Sequence, residues 1–113
     1  MVNYNQEDLN EIFHALADST RREMVQMMAQ KERTVSELAQ PFDISLAGIS
    51  KHIKVLERAK LVERTVRGRT HLCRLNTDAL SQVKEWLLFY EKFWSRRFDI
   101  LEDELMKEKK KEH

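Results

Sequence analysis

The chain has 113 residues with 42% hydrophobic and 35% charged side chains, enough for one modest domain over 1–113. Two glycines, one proline and one cysteine exclude a glycine-rich phosphate loop, an intramolecular disulfide and a paired-cysteine metal site. The net charge of +1 is unevenly spread: Ser45–Leu75 holds eight basic and two acidic residues, the remainder 12 basic and 17 acidic. A basic block inside an acidic frame suggests a local surface for a polyanion.

Met1–Asn5 lacks a charged-then-apolar signal pattern. No run approaches the roughly 18 apolar residues of a membrane helix. The expectation is a cytoplasmic protein with no membrane partner.

Leu9, Ile12, Phe13, Leu16 and Ala17 follow helical spacing, which predicts a first helix over 6–17. Asp18, Ser19 and Thr20 are all good caps, and Thr20 with Glu23 has capping-box spacing for a second helix to about Ala29. Met24, Val25 and Met28 are its inward residues. Thr34 and Glu37 repeat the capping-box spacing and open a short helix, 35–40, which Pro41 ends. After the turn Phe42-Asp43-Ile44, Ser45 caps a fourth helix, 46–59, with Ile49, Ile53 and Leu56 inward.

Helix, short turn, helix is the helix-turn-helix arrangement. Two Val-, Thr- and Arg-rich runs, 61–67 and 70–75, flank Gly68, whose freedom at positive φ suits a tight hairpin. That hairpin reads as a wing. Asn76 or Thr77 then caps a long last helix to about Met106, with a frayed tail over 107–112. The fold expected is mainly α: a winged helix-turn-helix of about five helices and a two-stranded wing.

The outward face of the fourth helix carries the candidate DNA contacts. Ser45, Ala47 and Gly48 are small and allow close approach, Ser50 and His52 can hydrogen-bond bases or phosphates, and Lys51, Lys54 and Arg58 can neutralise phosphates. Arg67 and Arg69 straddle the wing tip and would reach the backbone or a minor groove. In the last helix Trp86, Tyr90, Phe93, Trp94 and Phe98 form an aromatic stripe too long for one small core. With Leu9 and Phe13 of the first helix they are the candidate dimer interface, the two terminal helices (about 6–17 and 77–106) pairing with a second copy.

Residues 9–75 resemble the ArsR (ArsR/SmtB) family of winged-helix repressors. The matching stretches are Phe13–Arg22, Thr34–Ala39, Ile49–Glu57 and Arg67–Arg69, with Ser50-Lys51-His52 the most specific. The resemblance implies a homodimeric repressor on a palindromic double-stranded operator near its own or a neighbouring operon. Family members that sense metals use cysteines of the third helix or histidines and carboxylates of the last. Thr34 and Ser36 stand at those third-helix positions, and the last helix has no histidine before His113. No metal and no cofactor is therefore expected. His14 is expected to pack beside the first helix, and Cys73 to be a small buried hydrophobe. Many relatives have glycine where Lys60 stands, so Lys60 is expected in a left-handed conformation. No nucleophile motif or paired-histidine metalloprotease motif occurs, so catalytic residues are not expected.

Overall fold

The computed structural model describes residues 6–111, with side chains for residues 6–108. Met1–Asn5, Glu112 and His113 lie outside the described residues, and with them the signal-pattern reading and the last histidine. The elements in order are α1 (Gln6–Leu16), α2 (Ser19–Gln30), β1 (Arg33–Thr34), α3 (Val35–Ala39), α4 (Leu46–Arg58), β2 (Val62–Arg67), β3 (Thr70–Leu75) and α5 (Thr77–Lys111). The chain divides into two compact units, one ending at Val83 and one beginning at Lys84.

The first unit is built on local signals. Thr34 Oγ1 accepts from the Glu37 N–H while Glu37 Oε1 accepts from the Thr34 N–H, each at 3.1 Å, a complete capping box. Ser45 Oγ accepts from the Gly48 N–H at 3.1 Å and starts α4. At the other end of α4, Lys60 has φ 61°. Its N–H donates to Glu57 O (2.9 Å) and the Leu61 N–H donates to Leu56 O (3.0 Å). Those two bonds are the Schellman pattern, with buried Leu61 packed against the core beside Leu56. Asn76 steadies the same corner, donating from Nδ2 to Lys60 O and from its N–H to Leu61 O.

The cap of α2 and the number of strands differ from the sequence reading. The cap of α2 is Asp18 and not Thr20: Asp18 Oδ2 accepts from the Arg21 N–H at 3.0 Å. The sheet has three strands, in the order β1-β3-β2, all antiparallel. The wing itself pairs Val62 with Leu75 through to Arg67 with Thr70, and Gly68 turns it at φ 62°. The additional strand, β1, pairs Arg33 with Cys73 and Thr34 with Leu72. It anchors the root of the wing to the start of α3.

The core gathers one face of every helix. Ile12, Met24, Leu38, Ile49, Ile53, Leu56, Leu61 and Cys73 are fully buried. Cys73 is the buried small hydrophobe expected, and desolvation pushes its thiol pKa up. His14 is exposed instead of packed, with its carbonyl bonded to Arg21. Leu9 is only 4% exposed, so its side chain is already covered within its own chain. It has almost no surface left for the interface assigned to it.

The cap of α2 carries a pH signature. The Arg21 N–H holds the Asp18 carboxyl below its ordinary pKa, opposed by partial desolvation and helped by the charge of Arg21. A carboxylate with a lowered folded pKa stabilises above its unfolded pKa and loses that contribution as pH falls through the folded value. Asp18→Ala is therefore expected to cost about 1 kcal/mol near neutrality. Urea midpoints of the two proteins should draw together as the pH falls below the ordinary carboxylate range. A gap that stays constant throughout would remove the charged cap as its cause.

The second unit is the continuation of α5 from Lys84 to Lys111. The helix runs five residues beyond the Met106 expected and includes most of the tail read as frayed. Its described apolar side chains are largely exposed, including Phe93 (51%), Trp94 (53%) and Phe98 (63%).

Candidate nucleic-acid interface

At 100° per residue, α4 sorts its own side chains. Ile49, Ile53 and Leu56 point inward and are buried. Ala47, Lys51, Lys54 and Arg58 fall on the opposite face, and all are exposed. Ser50 and Gly48 lie on the flanks and are half-buried. Leu46, at the first turn, is 66% exposed. Gly48 has a steric reason of its own: a Cβ there would sit 2.6 Å from Ile44 Cγ2. Ser45 is exposed, with its oxygen already engaged as the cap.

The two acids of the basic block are both taken up locally. Glu57 pairs with Arg64, and Glu63 pairs with Arg74. The remaining basic residues there, Lys51, Lys54, Arg58, Lys60, Arg67 and Arg69, have no ion-pair partner among the described residues, and all are exposed. The positive charge left by the sequence count is thus carried by the outer face of α4 and the wing. Arg67 and Arg69 flank Gly68 at the hairpin tip, as the sequence suggested.

His52 is the residue whose surroundings sequence reasoning missed. It lies on the flank of α4 toward α2 and is half-buried. Arg21 Nη1 donates to its Nδ1 at 3.1 Å, and Asp18 Oδ2 lies 3.9 Å from the same nitrogen. Arg21 and Asp18 fall in the matching Phe13–Arg22 stretch, but nothing in the spacing tells that a residue 31 positions later meets them.

Thr34 Oγ1 is engaged as a cap and Ser36 is exposed. Among the described residues, no group of three or more His, Cys, Asp or Glu is placed to hold a metal ion. Nor is any described helix long and apolar enough to cross a membrane.

This arrangement has known counterparts. A helix-turn-helix domain family model matches residues 16–65. The chain is 30% identical over 80 residues to the transcriptional repressor SdpR of Bacillus subtilis (strain 168), covering 71% of this chain and 89% of SdpR. It is 34% identical over 84 residues to the HTH-type transcriptional regulator Rv2034 of Mycobacterium tuberculosis (strain ATCC 25618 / H37Rv), covering 74% and 76% respectively. The crystal structure of an ArsR family transcriptional regulator matches with a TM-score of 0.76 and 38% identity, over 84% of this chain and 97% of that one.

The chain belongs to the ArsR family of transcriptional regulators. It is a winged helix-turn-helix DNA-binding regulator and not an enzyme. In this ArsR-family chain α3 and α4 form the helix-turn-helix, β2 and β3 the wing, and α4 the recognition helix by position. Two further structural neighbours, HlyU of Vibrio cholerae and NolR of Sinorhizobium fredii, share the fold at 22% and 18% identity.

Proposed function

We propose that this regulator is a homodimeric repressor that binds a palindromic operator of its own or a neighbouring operon, in the cytoplasm. The observation that carries the reading is the uncompensated positive charge on the outer face of α4 and at the wing tip. An α-helix fits the major groove, and basic side chains beside it neutralise phosphates. Ser45, Ala47, Gly48, Ser50 and His52 are assigned to close approach and base or phosphate bonding. Lys51, Lys54, Arg58, Arg67 and Arg69 are assigned to phosphates and, at the wing, to an adjacent groove. SdpR, which this chain resembles over most of its length, is itself named a repressor.

The dimer rests on α5. Trp86, Tyr90, Phe93, Trp94 and Phe98 are all exposed, with Trp86 and Tyr90 ring centroids 4.8 Å apart and Trp94 and Phe98 6.3 Å apart. Large exposed aromatic patches mark interaction surfaces. The palindrome of the target follows from a two-fold pairing of subunits, and Phe13 of α1, itself partly exposed, is assigned to subunit contact as well.

Binding to DNA from upstream of its gene is expected to weaken steeply with salt. About six to eight phosphate contacts per dimer give a slope of log K against log salt of about −5 to −7. Titrations at several salt concentrations with nonspecific competitor measure it. A slope near zero would exclude the basic face as the DNA surface.

A further inference from the structure

We propose that Arg21 is a positioning residue that locks His52 in the tautomer with its proton on Nε2, so that α4 presents an obligate hydrogen-bond donor to DNA at this position. The proposal rests on α4 being the DNA-facing helix. A guanidinium has five N–H donors and no acceptor. The 3.1 Å contact between Arg21 Nη1 and His52 Nδ1 therefore requires the lone pair on Nδ1. The single ring proton of neutral His52 is left on Nε2.

The lock is rigid because Arg21 is itself fixed. Nε donates to Ala15 O at 2.7 Å and Nη2 donates to His14 O at 3.1 Å, two carbonyls at the C-terminal end of α1. That end carries the negative pole of the helix dipole, a favourable seat for a cation. The backbone N–H of Arg21 is bound by Asp18, the cap of α2. One side chain thus ties α1, α2 and α4 together and ends on the recognition helix. Asp18 Oδ2, 3.9 Å from Nδ1, is too distant for a hydrogen bond and does not compete for that nitrogen.

The consequence is a restriction on what His52 can read. An Nε2–H meets acceptors: a phosphate oxygen, guanine O6 or N7, adenine N7 or thymine O4. It cannot accept from the amino groups of cytosine or adenine. Ser50, whose hydroxyl both donates and accepts, carries no such restriction.

Two measurements test this. Long-range nitrogen–proton NMR correlation on the unbound protein near neutral pH is expected to show His52 as the Nε2–H form, and Arg21→Gln is expected to release the preference. A wild-type Nδ1–H form, or an even mixture, would overturn the lock. Binding to the operator is compared for His52→Gln, whose amide nitrogen reaches the Nε2 position, and His52→Asn, whose amide nitrogen stands at Nδ1. The Gln variant is expected to bind within about threefold of wild type and the Asn variant about tenfold or more weakly. Equal loss in both, or none in either, would overturn the donor role. Lys51→Ala and Lys54→Ala separate this from failure of the underlying reading. If they weaken binding while the His52 pair behaves alike, α4 faces DNA and only the donor role is wrong. If they change nothing, the assignment of α4 fails, and the proposal with it.

Discussion

Ile53→Ala is expected to destabilise the fold by about 2–5 kcal/mol, the range for removing a large buried aliphatic side chain and leaving a cavity. Against a total stability of about 5–15 kcal/mol for a domain, that is a large fraction. Ile53 is 1% exposed and sits in the core with Leu38, Ile49, Leu56 and Leu61. Its neighbour Lys54 lies 100° further round α4, exposed and without an ion-pair partner among the described residues. Lys54→Ala is expected to move stability by less than about 0.5 kcal/mol. It should instead make the salt slope of DNA binding shallower by about one. Ile53→Ala, assayed where it is still folded, should keep the wild-type slope. Urea denaturation and salt-dependent titration of both variants measure the four quantities. If the lysine variant lost stability and the isoleucine variant lost phosphate contact, the inward and outward faces of α4 would be exchanged.

Those faces were legible in the sequence because each signal is local. Steps of four and three among Ile49, Ile53 and Leu56 define a stripe, and Ser45 supplies a cap that needs only the next three residues. The same holds for the Thr34–Glu37 box and for Gly68 at the hairpin. Lys60 was legible only through the family resemblance, in which many relatives carry glycine at this position just past the helix.

What remained hidden depends on partners distant in sequence. Two residues, Arg33 and Thr34, have no readable alternation; they are a strand because Cys73 and Leu72 lie beside them. Three consecutive cap formers, Asp18, Ser19 and Thr20, look equivalent until Asp18 takes the Arg21 N–H. Leu9 has the spacing of an interface residue as well as of a core residue, and its burial places it in the second class. Charge counting found the basic block but not which members are free. Glu57 and Glu63 each remove one arginine, and the choice of Arg64 and Arg74 is made by strand register and side-chain reach. His52 was readable as a polar residue on the recognition helix. Its donor-only character comes from Arg21, which no helical period connects to it.

Trp94→Ala is expected to weaken the dimer by about three orders of magnitude and operator binding with it. Trp94 is 53% exposed, with Phe98 on one side and the ring of Phe93 on the other, 6.3 and 6.0 Å between centroids. A tryptophan buried at an interface commonly contributes about 2 kcal/mol or more. In a two-fold pairing the same patch occurs on both subunits, so one substitution removes two such contacts. Together they come to about 4 kcal/mol, a factor of about a thousand in the dimer dissociation constant. A palindromic site gains affinity when both recognition helices dock together, half-sites being about 34–36 Å apart. Losing the link between subunits loses that gain, about 10²–10⁴ in operator affinity at concentrations where the variant is a monomer. Binding to a single half-site should stay within about threefold of wild type, because α4 and the wing are untouched. Sedimentation velocity gives the oligomeric state, and titration against full and half operators gives the two affinities. A monomeric Trp94→Ala protein that still bound the full site as wild type would break the connection between the α5 surface and recognition. A dimeric variant with unchanged association would move the interface elsewhere on the chain.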